Sequence, residues 1–366
     1  FTRYNFNKKK LMLHRASCRF YFDEQKKFYK RALYIGFKEK LPKLPEGSYF
    51  MIENPDNLPF RYKVIAESPN FLLSNFDRRE INEKFNSYIF YHFYREAKKK
   101  NSNLFTENFV EQKSLDKENR KKLPSDFDTK RFTPIVVKKE RPYVEEAKTF
   151  VKKHFPNNYG DCKNFNWVIS RKGALKLIEQ FVDEKLNLFG DYQDFSIIQE
   201  RSGLFHSMLS HVLNVGLVQP AEVIKKIDFR KRKNSVEGFV RQLYWREYQL
   251  YCYKNLEWSG KPFFAVKERN MEKYYKASTD SETINRLIKK AFSTGYLHHI
   301  ERLMFVGNHM LINGVEPKKG YKWFMEFSID SYEWVMKQNV LEMVFFTKQK
   351  TMRRPYASSF NYIKNM

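Results

Sequence analysis

Gly295-Tyr-Leu-His-His-Ile-Glu-Arg-Leu-Met-Phe-Val-Gly-Asn308 is followed, after Gly314-Val-Glu-Pro317, by Trp323-Phe-Met-Glu-Phe-Ser-Ile-Asp330 and then Glu333-Trp-Val335. Ile300, Leu303, Met304 and Leu311 recur at helical spacing, so the first run reads as one amphipathic helix. His298 and Arg302 lie four apart and share a face. Gly314 and Pro317 mark where this helix stops and the next begins. The second run is an aromatic-rich helix with one acid, Asp330, among apolar neighbours. Two imidazoles and a guanidinium on one helix and a lone carboxylate after the next make a polar cluster in a greasy setting. A buried Arg302–Asp330 pair is costly unless well hydrogen-bonded, which suggests a ligand completes it. Read without a ligand, the same residues are a structural ion pair beside incidental histidines.

Working outward, the chain has 366 residues, room for two domains and a sizeable core. A formal charge of +26 favours a polyanionic partner, nucleic acid before an acidic membrane surface. Much of that excess is also what a lysine-biased genome would give. Cys18, Cys162 and Cys252 are far apart and form no CxxC pair, so neither a disulfide framework nor a zinc site is indicated. A reducing compartment, the cytoplasm, is expected. No apolar run reaches transmembrane length, and no secretory leader is visible.

Toward the N-terminus, Lys10-Leu-Met-Leu13 reads as a short strand or the start of a helix that continues through Tyr21. Tyr49-Phe-Met-Ile52 and Tyr62-Lys-Val-Ile65 read as strands. No glycine-rich phosphate loop is present. Residues 121–165 are charged and proline-spaced, the composition of an interdomain linker. From about residue 166 the pattern is helical. Leu204-Phe-His-Ser-Met-Leu-Ser210 puts hydroxyls and backbone N–H groups at a helix start, which suits a pyrophosphate or simply caps the helix.

Tyr-x-His-His-Ile-x-Arg-Leu-Met at 296–304, Trp323 and Ile-Asp-x-x-x-Trp-Val at 329–335 resemble the flavin domain of the prokaryotic photolyase-related proteins, the iron–sulfur bacterial cryptochromes and (6-4) photolyases. Phe189-Gly-Asp-Tyr-Gln-Asp194 and Glu237-Gly-Phe-Val-Arg-Gln242 with Trp245-Arg-Glu247 extend the resemblance. It implies an incomplete α/β, Rossmann-like antenna domain at 1–120, a linker at 121–165 and an all-α FAD-binding domain at 166–366. The family's first strand would lie before Phe1, and its later cysteines beyond Met366.

The resemblance also implies roles. Ser207, Leu209 and Ser210 would hold the FAD pyrophosphate. Arg246, Arg302, Asp330 and Met336 would border the flavin ring, Met336 standing where a polar residue often faces N5. His299, with His298 beside it, would donate a proton to a flipped (6-4) photoproduct. Trp245, Tyr356 and Tyr362 would line the lesion cavity. Trp323, Trp334 and Tyr275 would relay electrons, Tyr275 in place of the family's tryptophan. No [4Fe–4S] cluster is expected in these residues, because Thr283 stands where the first cysteine ligand would be. A lumazine-like antenna chromophore is left open. The implied function is light-driven repair of damaged DNA by a monomeric carbon–carbon lyase without membrane attachment. A cryptochrome-type photoreceptor and a flavin-free DNA-binding relative are the alternatives.

Overall fold

The computed structural model describes residues 3–40, 42, 49–51, 63–66, 69–85, 87–119, 121–128, 132, 135–197, 203–347 and 351–358. The first helix, Lys8–Gln25, starts at Asn7, whose side chain accepts from the Lys9 N–H at 2.9 Å. The same residue reaches across the chain: its N–H donates to the Glu326 carbonyl at 2.7 Å and its Nδ2 to the Phe292 carbonyl at 2.8 Å. This cap therefore fastens the N-terminus to the C-terminal half as well as satisfying an orphan helix donor. Leu11, Met12, Leu13 and Ala16 bury one face of the helix against Ala147 and Val151 of Arg141–His154.

The α/β antenna expectation is overturned here. Among the described residues the sheet content is one parallel pair, Tyr49–Met51 with Lys63–Ala66. The short β-branched and aromatic runs do form strands, but a Rossmann-like layer needs several paired strands with crossover helices, and two strands of three and four residues do not make one. The rest of the described N-terminal part is helix and loop, including Asn75–Phe85 and Phe90–Lys100. Apart from that pair, the regular structure of the described residues is helical.

Two large apolar cores dominate. One surrounds the long helix Lys233–Asn255 and contains Phe93, Phe181, Phe189, Phe239, Tyr244 and Tyr248. The other packs Leu287, Ile288, Met304, Trp323, Phe324 and Phe327. Its helix Glu282–Thr294 is capped by the Ser281 hydroxyl and ends at Gly295 with φ +75°, a left-handed C-cap that suits glycine. The Gly295 carbonyl then accepts from the Ile329 N–H at 2.8 Å, which sets the position of Asp330.

The central stretch departs from a plain α-helix. Glu301–Gly307 and Lys337–Val344 are π-helices that pack on each other. Apolar spacing near 3.6 does not separate a π-turn from an α-turn, so the sequence reads both as ordinary helix. The turn between the two is as expected: Gly314 has φ +64°, and Pro317 opens the helix Pro317–Phe327.

Candidate functional site

Asp330, which is 6% exposed, lies in the turn after the helix Pro317–Phe327. Arg302 donates to it from Nη1 at 2.9 Å and Nη2 at 3.2 Å. The Ser210 hydroxyl donates to Oδ2 at 2.7 Å, and the Ser328 hydroxyl donates to Oδ1. Burial by itself raises the Asp330 pKa; Arg302 and the two hydroxyls outweigh it and hold the carboxyl at about 2. Arg302 is fixed in turn by a 2.5 Å bond from Nε to the Leu297 carbonyl and lies over the Tyr296 and Phe327 rings.

The network continues to a second guanidinium. Asn214 donates from Nδ2 to the Asp330 carbonyl at 3.0 Å and accepts from Arg246 Nε at 3.2 Å. Arg246 also donates to the Asn70 carbonyl and lies 4.3 Å and 5.0 Å from the Phe71 and Trp334 ring centroids. On the far side, Lys10 donates to the Ser331 carbonyl and, at 2.8 Å, to its hydroxyl. Burial lowers the Lys10 pKa, only partly opposed by Asp330, to about 7.

The histidines form an adjoining cluster with a third member. His206 stacks on His298 with ring centroids 4.5 Å apart and planes 19° from parallel, and meets His299 edge-on at 5.6 Å. Both His206 ring nitrogens face carbonyls, Gly203 at 3.1 Å and Gln193 at 2.8 Å. Burial, then His299, holds its pKa down at about 3, so the ring is neutral and donates one of these bonds. His298 is also buried and pushed well below the usual imidazole range, first by desolvation and then by His206 and His299. Its Nε2 has no hydrogen-bond partner among the described residues; the nearest carboxylate oxygen, on Glu301, is 3.6 Å away. His299 is the exposed member, with Nε2 3.3 Å from the buried Asp194 carboxylate. A cavity of about 20 Å³, room for about one water, is bounded by Gly203, His206, Lys290, Thr294, Tyr296 and His298. An open groove of 580 Å³ at Glu107, Glu111 and Lys233 shares no lining residue with it.

Local strain concentrates beside the same cluster. Gly203, Leu204 and Met208 have φ of +78°, +42° and +56°. Left-handed backbone at two non-glycine residues is held in place only by its surroundings, and such strain gathers at functional sites.

The structure therefore brings Ser210, Arg246, Arg302 and Asp330 into one hydrogen-bonded network and places His298 and His299 next to it. Ser207 accepts from the Leu209 N–H at 3.4 Å, and Leu209 is buried. Met336 is buried in the second core. Trp245 donates from Nε1 to Asn339 at 3.2 Å. Trp323 is fully buried and donates to the Tyr274 carbonyl, whereas Trp334 stands apart from it beside Phe71. Tyr275 bonds Glu326. Tyr356 is 44% exposed, and Tyr362 lies outside the described residues. Sequence reasoning missed Lys10, Asn214 and His206 as members of this assembly. His206 was signalled only by being the one ionisable side chain between Leu204 and Ser210.

Residues 51–167 match the family model described as deoxyribodipyrimidine photo-lyase-related protein. The chain is also 33% identical over 232 residues to a (6-4) photolyase of Agrobacterium fabrum, a match covering 61% of this chain and 46% of that protein. Over these stretches the chain is similar to photolyase-related proteins. The chain also matches an uncharacterized protein of Acanthamoeba polyphaga mimivirus, at 47% identity over 64 residues, covering 17% of this chain and 52% of that protein. Among solved structures, a bacterial class III photolyase from Agrobacterium tumefaciens aligns with a TM-score of 0.41 at 19% identity, over 60% of this chain and 52% of that one. The chain thus spans about half the length of these two relatives. Among its described residues, no helix is long and apolar enough to cross a membrane.

Proposed function

We propose that this chain is a light-dependent DNA-repair flavoprotein of the (6-4) photolyase type, a carbon–carbon lyase acting on a flipped pyrimidine photoproduct. The observation that carries the reading is the buried Arg302–Asp330–Asn214–Arg246 network with the histidine trio beside it. Its chemistry fits a flavin. Guanidinium and hydroxyl donors surround the Asp330 carboxylate, and the buried Gln338 amide has neither its oxygen nor its nitrogen bonded within the described residues. An amide's donor–acceptor pair complements the alternating carbonyls and N–H of a flavin ring. When bound, FAD would supply the light absorption and the electron.

The chain's own residues would do the rest. Arg302 and Arg246 would balance negative charge on the cofactor, and Asp330 would keep Arg302 aimed. Neutral His206 and His298 would wall the cavity, while exposed His299 would present a proton to the lesion with Asp194 orienting its ring. Trp245 would border the lesion and surface lysines would hold the phosphates, with damaged DNA as partner. A damaged base is cheaper to flip because it pairs poorly.

A cryptochrome-type photoreceptor is the second reading. It is favoured by Met336, which is 2% exposed and offers no strong hydrogen bond to a flavin. Blue-light illumination of the flavin-loaded protein with an oligonucleotide carrying one (6-4) photoproduct separates the two. Repair requires restored bases in light and none in darkness; an unchanged lesion with a photochemically active flavin supports the photoreceptor.

A further inference from the structure

The three histidines converge more closely than proton donation by His299 requires. One ring nitrogen from each of His206, His298 and His299 can be chosen so that all three lie within 4.8 Å of one another. The rings come from two segments, the strained turn at 203–208 and the start of the helix after Gly295. A carboxylate adjoins them: Asp194, 5% exposed, holds Oδ1 3.3 Å from His299 Nε2. Ligand atoms roughly 2.0–2.1 Å from a tetrahedral zinc ion stand about 3.4 Å apart, so this pair already has the spacing of two zinc ligands.

Two of the rings are poorly satisfied by the protein alone. His298 Nδ1 accepts from the Ile300 N–H at 3.3 Å, so its Nε2 carries the proton. That N–H is buried and finds no acceptor among the described residues. His206 is neutral yet meets a carbonyl at each nitrogen; one contact is a hydrogen bond, and the other sets a lone pair against a lone pair. A metal-bound imidazole uses one such carbonyl, as acceptor for its far N–H. The cavity beside His206 and His298 gives the rings room to turn, and the Lys290 charge on its wall is matched by Glu301 at 2.7 Å.

We propose that His206, His298, His299 and Asp194 form a site for a divalent transition-metal ion of the zinc class. Imidazoles with one carboxylate suit zinc, copper or nickel, whereas magnesium and calcium take oxygen donors. The ring nitrogens close by at most about 1.4 Å to reach tetrahedral spacing. His206 and His298 are stacked 19° from parallel, and one ion cannot lie in both ring planes, so His206 turns out of the stack on binding and keeps one carbonyl as acceptor. His298 offers Nε2 in its other tautomer and gives up only the long Ile300 contact. The site needs no flavin. In a protein that acts as proposed above, a bound ion would hold the His299 lone pair and block proton donation; that consequence alone rests on the proposed function.

Chelator-treated full chain, free of flavin, is titrated with zinc chloride in competition with a chromophoric chelator. One ion per chain should bind with a Kd below about 1 µM, and zinc should raise the melting temperature. Cobalt(II) in its place should show the strong visible bands of four-coordinate ligation. His299→Ala removes the exposed ligand and should weaken zinc at least about tenfold; His206→Phe added to it should weaken zinc at least about a hundredfold. His309→Ala removes the separate His309–Asp280 pair and should leave the affinity unchanged. Zinc held as tightly by His299→Ala, zinc lost in His309→Ala, six-coordinate cobalt, or no saturable binding would overturn the site. Should the double variant fail to fold, His299→Ala decides, because its ring is exposed. Protein that binds zinc as described but no flavin leaves the site standing and removes the cofactor reading; flavin binding without zinc does the reverse.

Discussion

Asp330 remains ionised in a buried position because Arg302, Ser210 and Ser328 all donate to it. Its pKa is about 2 folded and close to 3.9 in an unfolded chain, so it contributes stability above the unfolded value that is lost as pH falls toward 2. Asp330→Asn should therefore destabilise the protein at neutral pH by about 2 kcal/mol and flatten its stability profile between pH 5 and 2. Chemical denaturation at stepped pH measures this. Lys10 gives a slope of the same sign in a higher pH window. Its pKa falls to about 7 on folding, so the unfolded chain binds more protons above that value and stability should rise with pH from 7 toward 10. Lys10→Met should remove that rise, in the same assay. The histidine pair, Arg302 and Asp330 were legible in the sequence because they cluster within 33 positions, the histidines and Arg302 at the start of one helical run and Asp330 in the turn after the helix Pro317–Phe327. Lys10, His206 and Asn214 were not: Lys10 reaches Ser331 across 321 positions and Asn214 reaches Asp330 across 116, and no local period encodes such contacts.

At the scale of elements, the site hangs on two π-helices in close contact. A Cβ at Gly307 would meet the Arg302 carbonyl at 2.7 Å and Val344 Cγ2 at 2.9 Å. The first is backbone of the same π-helix and cannot swing aside, so Gly307→Ala should distort that helix and move Arg302, while the Val344 contact presses the two helices apart. The expected cost is about 1–3 kcal/mol, as for other overpacked cores, read as a lower midpoint in denaturant. Flavin affinity should fall with it; full stability would show that the contact is slack. The element-level misreading has a plain cause. Tyr49–Met51 and Lys63–Ala66 are strands, as their composition suggests, but a layer is a property of many strands and two cannot supply it. The start of the first helix was ambiguous because Lys9 and Lys10 look like solvent residues. Both are buried, Lys9 against Asp161 and the Lys163 carbonyl, so polarity there marks tertiary partners and not an exposed face.

For the molecule as a whole, a charge of +26 should make DNA binding steeply salt-dependent. Each neutralised phosphate contributes roughly −0.9 to the log–log slope on duplex DNA. Fluorescence anisotropy at stepped salt should give a slope of several units for damaged and intact duplex alike, with His299→Ala leaving it unchanged. The charge pointed to a polyanion but not to its place on the surface, because lysine excess is spread along the chain. The proposed photochemistry requires that the Arg302–Asp330 network hold a flavin. Titrating purified protein with FAD, and following flavin absorbance and fluorescence anisotropy, tests that directly. Saturable one-to-one binding is predicted for the wild type, lost by at least about tenfold in Asp330→Ala and Arg302→Ala, since each breaks a buried charged pair. Wild-type protein that binds no flavin, or variants that bind it as tightly, would contradict it.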